Sequence, residues 1–538
     1  MPTITAGASQ NIALPAGQTI TFDPSGSGNA VIANGQEAGT GYKLGGAQVV
    51  IGPFTTARTI SVAPSSNVGY FLGAAVIDVT ATRAAPGFEP SLASPGSGAG
   101  AVAEVVRPAL DVVVIGDSWG QRNYAFSATA QAYSDLGSVR WGIALSGQRL
   151  RQILPTAAVG GSTSGQWLST YLDAVLDQLD SPCRVEVFLG TNDISSDVPV
   201  GAVGVPDSFI DNMNTIYRRI LDRGHILCAN TIPPYGPSYV VTGASLAVKN
   251  IARRVANKWL TEFAAANPNI EFTDQYSALV DPTNANGYMF AAFEDALSGG
   301  GNNPGIHCSA AGARAVGAQK AARWASLPDP RQHVSSTTDS YDTDTAGSNR
   351  INNPLFAGTG GTTVQGAGTT ITATAIATNW IVATAASGTA TVVATTAART
   401  VANDGDTIGQ NQVLTITGAT APDLVSLRTG SLAGRFAVGD QIFAEVYIKA
   451  TGMTNVNGIR LIATHILDGV SNIYTDMSYL GTGASYSQSD EMMVLRTPVY
   501  TIGSASALSG QIMTIDIDFI GAGGAVIAIG RAQWRKVN

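Results

Sequence analysis

Cleavage of an ester by serine needs a hydroxyl nucleophile, a base to take its proton, and hydrogen-bond donors for the developing oxyanion. Ser118 stands in Gly116-Asp117-Ser118-Trp119, directly after the apolar run DVVVIG of residues 111–116. In a doubly wound sheet the crevice lies beyond the carboxyl ends of the strands, so a serine at such a junction faces it. A helix start also offers free backbone N–H groups and a dipole that favours negative charge. Taken alone, the same serine serves equally as a helix N-cap. Only four histidines compete for the role of base. His225 opens an apolar strand at the edge of the sheet away from the crevice, His333 is in a polar linker, and His465 is in the C-terminal β region. His307, in Gly305-Ile306-His307-Cys308-Ser309, precedes the last helix of the α/β region, a position that can face the crevice. Asn192, in Leu189-Gly190-Thr191-Asn192-Asp193, follows another strand. Its amide can donate to an oxyanion or serve only an Asx-type turn. Gly147 follows VRWGIAL (139–145), read as the second strand, where a glycine N–H can approach a substrate oxygen closely.

These positions depend on elements that the hydrophobic pattern marks out. Residues 111–116 form a continuous apolar strand of the kind buried in a parallel sheet. A helix-like stretch runs on to about Leu136, and RVEVFLG (184–190) and HILCANTI (225–232) read as further strands, with IEFTD (270–274) after them. Between them, Leu168, Tyr171, Leu172, Val175, Leu176 and Leu179 recur on one helical face. Other helices are expected over 209–223, 244–266 and 310–325. Repeated βα units imply a parallel sheet covered by helices on both faces. The flanks differ in texture: 1–85 and 355–538 alternate short β patterns with Gly- and Asn-bearing turns. The expected organisation is multidomain. It comprises a β-rich attachment domain (1–85), a linker (86–109), the α/β domain (110–327), a second linker (328–354) and a C-terminal β-sandwich or jelly-roll domain (355–538).

In order and spacing, GDS at Ser118, Gly147, GTND at Asn192 and the terminal His307 block resemble the SGNH (GDSL-type) serine hydrolases. The resemblance covers residues 110–327. It implies a flavodoxin-like three-layer α/β/α sandwich with a five-stranded parallel sheet. Ser118 would be the nucleophile and His307 the general base, with an oxyanion hole from the N–H groups of Ser118 and Gly147 and the Asn192 side chain. The family usually carries an aspartate three residues before the histidine; here that position is Pro304. Another group must then orient the imidazole, such as a backbone carbonyl, Asn303, Asp295 or Glu294. Gly116-Asp117-Ser118-Trp119-Gly120 also fits the G-x-S-x-G elbow of α/β-hydrolases, but a Pro/Gly-rich linker stands where that fold needs earlier strands.

Composition narrows the partners. A net charge of −8 and the lack of a Lys/Arg cluster disfavour nucleic acid. The charged fraction is 13%, against the ~25% of an average soluble chain, which suits a neutral polar ligand such as a glycan. Three cysteines without C-x-x-C spacing point to reduced structural thiols, and nothing resembles a metal ligand set, so no metal or cofactor is expected. No run is apolar enough to span a membrane, and residues 1–19 lack the pattern of a secretory signal. A hydrolase between two glycine-laden β modules resembles phage tail-fibre and tailspike proteins. That resemblance implies a homotrimer made in the host cytoplasm, attached to other virion tail proteins and acting outside the cell. Its substrate would be an O-acylated bacterial surface polysaccharide. Trp119, Tyr124, Tyr235 and Tyr239 fall in or near expected crevice loops and are candidates to stack on sugar rings. Two other readings stand beside this one: an esterase or lipase for small or lipid esters, and an inactive glycan-binding structural protein.

Overall fold

The computed structural model describes eight strands within residues 3–74. Further along it describes 110–126, 130–155, 157–197, 207–239, 246–295, 305–328, 349–386, 388–419, 423–478, 486–503 and 507–537. The linker expected over 86–109 lies outside the described residues, as does most of 328–354. The chain divides into two compact units, Met1–Val106 and Arg107–Asn538.

The first unit is β-rich. Its strands are Thr3–Ile4 (β1), Gln10–Leu14 (β2), Gln18–Asp23 (β3), Ala30–Asn34 (β4), Gly41–Lys43 (β5), Val49–Ile51 (β6), Arg58–Pro64 (β7) and Val68–Ala74 (β8). They form two four-stranded antiparallel sheets, ordered β1-β8-β3-β6 and β2-β7-β4-β5.

The second unit is built around a five-stranded parallel sheet. Asp111–Gly116 (β9) is its first strand in chain order. Ser118–Gln121 (α1) and a hairpin, Tyr124–Phe126 (β10) and Ala130–Ser134 (β11), follow. Next come Ser138–Leu145 (α2) and Arg151–Ile153 (β12). A helical run in three pieces has Ser164–Gln166 (α3), a π turn at Trp167–Tyr171 and Leu172–Leu176 (α4). Then come Arg184–Phe188 (β13), Thr191–Asp197 (α5), Asp207–Asp222 (α6), Ile226–Asn230 (β14), Leu246–Ala266 (α7), Glu271–Thr273 (β15), Gln275–Leu279 (α8) and Ala310–Trp324 (α9). The sheet order is β12-β9-β13-β14-β15, with every neighbouring pair parallel.

Alternation along β9 feeds two cores. Val112 and Val114 pack with α2 and α9, whereas Val113 and Ile115 pack with α4, α6 and α7. Phe209, Met213, Ile216, Tyr217 and Ile220 form the buried stripe of α6 at helical spacing. The three-layer reading of this region therefore matches the structure.

Two local readings do not. VRWGIAL (139–145) lies within α2 rather than a strand, and the second strand is β12, only three residues long. Every residue from Ser138 to Ala144 is buried, because α2 is enclosed on both sides, so no polar face marks it as a helix. Its start is capped from outside: Asn123 Oδ1 accepts from the N–H groups of Val139 (2.9 Å) and Arg140 (3.2 Å). The stretch to Leu136, expected to be helical, is instead α1 and the β10–β11 hairpin.

The remaining strands are Thr362–Val364 (β16), Thr370–Ala373 (β17), Trp380–Thr384 (β18), Thr391–Ala398 (β19), Gln410–Ala419 (β20), Asp423–Thr429 (β21), Gln441–Leu467 (β22), Val470–Ser478 (β23), Glu491–Arg496 (β24), Tyr500–Thr501 (β25) and Leu508–Lys536 (β26). The long β22 and β26 pair over most of their length and shift register between Thr451 and Gly458 of β22. One half of the pair joins β24, β25, β20, β19 and β17; the other joins β23, β21, β18 and β16. Strands that cross between sheets in this way make the corners of a sandwich. The inward residues of both halves share one hydrophobic cluster.

That cluster also contains Trp141, Ile143, Val316 and Trp324 of the α/β layer. Strand β11 runs parallel to β23 and so extends the sandwich sheet. Buried Arg140 on α2 makes a two-pronged ion pair with buried Asp476 on β23, at 2.6 and 2.5 Å. Between residues 107 and 538, then, the α/β layer and the sandwich share both a core and a sheet.

Candidate active site

The site begins with a turn that tolerates only glycine. Gly116 ends β9 at φ +124°, and a Cβ there would sit 1.9 Å from the Phe188 carbonyl oxygen. Asp117, in extended conformation, caps α1 by accepting the Trp119 N–H at 2.9 Å. Ser118 is the first residue of that short helix, half-buried at the carboxyl end of β9. Burial pushes the Asp117 carboxyl up to about 8; the Trp119 N–H opposes that shift and the nearby Asp193 charge adds to it. Asp117 is therefore neutral at pH 7 beneath the nucleophile.

His307 arrives from the far end of the domain. Residues 305–309 pair with 293–295 through Asp295 N–H to His307 O (3.1 Å), Ser309 N–H to Phe293 O (2.7 Å) and a bridge between Glu294 and Cys308. Ser309 then caps α9. The His307 Nε2 lies 2.7 Å from Ser118 Oγ. With Nδ1 carrying the proton, Ser118 donates to Nε2, the arrangement a general base requires. Burial, helped by the Arg122 charge, holds the imidazole well below 6.5, so it is neutral and able to accept a proton at pH 7. The Trp119 ring lies 5.6 Å from the imidazole, tilted by 54°.

Arg122, one turn beyond Ser118, ties the histidine segment down. It donates to the Cys308 carbonyl at 2.9 Å and pairs with Asp295, which is buried. A single guanidinium thus holds both sides of His307 against the nucleophile's own helix. Sequence reading named Asp295 but not Arg122; the available signal was a cation four residues after the serine. Asn303 and Pro304 lie outside the described residues.

Asn192 is the second residue of α5 and donates to the Ser162 carbonyl at 3.0 Å. Asp193 beside it is structural: it accepts from the Ser164 N–H at 3.0 Å and the Ser164 hydroxyl at 2.5 Å. Ser162 belongs to the loop after β12. That loop is fastened to the nucleophile turn by Val159 N–H to Gly116 O (2.8 Å) and by Trp167 Nε1 to the same oxygen (3.0 Å). In it Gly160 faces Gln121, while Gly161, at φ +78°, has nothing within 4 Å of where a Cβ would stand.

This loop occupies the place expected for Gly147, and that expectation is corrected. Gly147 follows α2 and precedes β12. Residue Arg151 of β12 is in register with Asp111, the first residue of β9, so Gly147 lies toward the amino end of the sheet, opposite Ser118. Its N–H donates to Ala144 O (3.1 Å), and it lines a cavity shared with the sandwich. The error followed from reading α2 as a strand.

The aromatic residues expected as sugar platforms, Trp119 included, are all buried, and the loop of Tyr235 and Tyr239 packs on the histidine segment through Gly236 N–H to Gly305 O (2.7 Å). Tyr124 is buried in β10, with its hydroxyl on Gln131 (3.1 Å). Tyr235 and Tyr239 are buried and stacked on each other at 4.2 Å, with Arg253 over the Tyr235 ring. His225 is buried beside Cys183, and His465 contacts the Tyr500 hydroxyl in the sandwich; His333 is outside the described residues. Cys183, Cys228 and Cys308 are free and buried. Among the described residues no group of three or more His, Cys, Asp or Glu is placed to hold a metal ion, and no helix is long and apolar enough to cross a membrane.

Residues 114–315, which contain Ser118, Asn192 and His307, match the model of the GDSL-like Lipase/Acylhydrolase family. The match supports a GDSL-type hydrolase domain in the middle of the chain. No curated protein matches the sequence. Among solved structures, similarity is found to a putative lipolytic protein of the G-D-S-L family from Desulfitobacterium hafniense, at 21% identity and TM-score 0.28, covering 40% of this chain and 99% of that one. A catalytic mutant of Axe2, an acetylxylan esterase from Geobacillus stearothermophilus, is 15% identical with TM-score 0.28, over 42% of this chain and 99% of that one. The enzymatically active domain of bacteriophage CBA120 tailspike protein 4 is 14% identical with TM-score 0.20, over 30% and 20%.

Proposed function

We propose that this chain is a serine ester hydrolase that removes O-acetyl or other O-acyl groups from a bacterial surface polysaccharide, as a homotrimeric component of a phage tail fibre or tailspike. The observation that carries the chemistry is the 2.7 Å contact between Ser118 Oγ and His307 Nε2 at the crevice end of the parallel sheet. The low charge of the chain and its β-rich flanks support the substrate and the setting.

Ser118 Oγ attacks the acyl carbon as His307 Nε2 takes its proton. The negative oxygen of the tetrahedral intermediate is met by the Ser118 N–H and the Asn192 amide, with the glycine loop at 160–161 closing the same side. Collapse expels the sugar hydroxyl, which receives the proton from His307 and leaves an acyl-serine. A water, deprotonated by His307, then releases the carboxylic acid and restores Ser118.

The test is acid release from p-nitrophenyl acetate and from an O-acetylated bacterial polysaccharide by wild type and Ser118→Ala. The expected result is release from both that vanishes in the variant. Release only from the small ester keeps the nucleophile and overturns the polysaccharide. Equal release by Ser118→Ala overturns the mechanism.

A further inference from the structure

The cavity that Gly147 lines lies between the α/β layer and the sandwich, toward the opposite end of the sheet from Ser118. Its volume is about 570 Å³, inside the range of roughly 300–1,000 Å³ typical of small-molecule sites. From the α/β layer it takes the turn at 145–149; from the sandwich it takes Arg399, Asp406, Glu445, Tyr447, Met492 and Arg531 among others.

Three features separate it from an incidental gap. First, its polar groups are fixed in place. Asp406 is held by Arg399 at 2.9 Å, by Arg531 at 3.0 Å and by the Ile408 N–H at 2.8 Å. Arg399, itself buried, also donates to Asn411 and to the Asp404 carbonyl. Second, its backbone is strained where it meets the cavity. Arg531 adopts φ +50°, at a β-bulge where the register of β26 against β22 shifts between Glu445 and Tyr447. A non-glycine residue in the left-handed region costs free energy, and bulges redirect side chains at functional sites. Third, a mixed surface surrounds these groups: the Arg399 guanidinium lies 4.4 Å over the Tyr447 ring, and Met492, 47% exposed, stands at the rim.

The charge pattern selects the ligand. Three arginines of the lining, Arg149, Arg399 and Arg531, stand with three carboxylates, Asp404, Asp406 and Glu445, and Arg399 and Arg531 share Asp406, so the wall carries no excess of positive charge. An anion gains little there. Closely spaced, fixed polar groups beside the exposed apolar Met492 side chain instead suit vicinal hydroxyls on a ring with an apolar side. We propose that this cavity is an accessory binding site for a neutral sugar unit of a glycan, remote from the ester-cleaving serine. The choice of a glycan rests on the proposed function; the site itself rests on its own geometry.

The experiment uses the full chain carrying Ser118→Ala, so that binding is read without turnover. The probes are neutral gluco-, galacto-, manno- and xylo-oligosaccharides free of acyl groups, with a uronate oligomer and inorganic phosphate as anionic controls, all followed by titration calorimetry. Two further variants are compared. Met492→Trp fills the exposed rim and leaves the core untouched; Asp406→Asn keeps the shape and removes the charge that anchors both arginines. Binding of at least one neutral oligosaccharide is expected, weakened about tenfold or more by each variant, as loss of one or two hydrogen bonds or of access would give. Hydrolysis of p-nitrophenyl acetate by the same two variants with Ser118 restored should be unchanged. No binding by any neutral probe, unaltered binding in Met492→Trp, or variant-sensitive binding of the anions alone would each overturn the proposal. Sugar binding without ester cleavage would instead remove the esterase and leave this site standing.

Discussion

At the residue scale, the serine and histidine announce themselves through their immediate neighbours, whereas Arg122 does not. Its role is set by the Cys308 carbonyl and the Asp295 carboxylate, 186 and 173 positions away in the chain. If Arg122 positions His307 and helps to depress its pKa, its two functions should separate by substitution. Arg122→Met removes the charge, so the imidazole pKa rises toward 6.5 and the acid limb of kcat/KM moves to higher pH. Arg122→Lys keeps the charge but not the fork, so the limb should stay while the plateau falls. Superimposable acid limbs in wild type and Arg122→Met would remove the electrostatic half of this assignment. Asp117 gives a second test, in stability. Its folded pKa of about 8 exceeds the ordinary aspartate value of 3.8, so the native state binds the extra proton between those limits. Stability contributed by the neutral acid is therefore full below about pH 4 and declines as pH rises to about 8. Asp117→Asn mimics the neutral acid and still caps α1. Its urea midpoint should fall less between pH 4 and 8 than that of wild type; parallel profiles would refute the shift.

At the scale of elements, legibility followed burial on one side. The helix α6 shows a single apolar stripe, and β9, β13 and β14 are short, mostly apolar runs buried along nearly their whole length, so each is read correctly from its pattern. The helix α2 has no polar face, and β12 is a three-residue edge strand of RQI, so neither carries its period. Gly147 was misplaced by that pair of misreadings and not by any property of the glycine. A different buried feature escaped notice because its partners are dispersed. Lys320 of α9, wholly buried, contacts Glu186 of β13 at 2.6 Å and Asn230 of β14 at 2.7 Å. The pair pins the last helix, and with it the His307 segment, to the centre of the sheet. Lys320→Met leaves Glu186 uncompensated in the interior and should cost roughly 3–5 kcal/mol in chemical denaturation. Lys320→Met with Glu186→Leu should recover much of that loss. A double variant no more stable than the single would mean that the cost is packing, not charge.

For the molecule as a whole, composition and texture separate α/β from β regions but do not show how strongly 107–328 depends on the C-terminal strands. Four structural ties argue that the dependence is strong. Residues of α2 and α9 sit in the sandwich cluster, β11 continues its sheet, Arg140 pairs with Asp476 away from water, and the Gln148 amide donates to the Val494 carbonyl at 2.5 Å. Cutting the chain after residue 328 would expose the outer face of α2, open an edge along β11 and strand the Arg140 charge. Each is destabilising or aggregation-prone alone. The fragment 107–328 is therefore expected to lose its near-ultraviolet circular dichroism and cooperative melting, while 107–538 should unfold in one transition seen equally by fluorescence and by circular dichroism. Two resolved transitions in 107–538, or a fragment that melts cooperatively and hydrolyses p-nitrophenyl acetate, would show that the sandwich is docked rather than built in. The Arg140→Met variant of 107–538 distinguishes the contributions further. It leaves the shared core intact and Asp476 unpaired, so it should lower the single transition without splitting it if the core, rather than the ion pair, holds the two layers together.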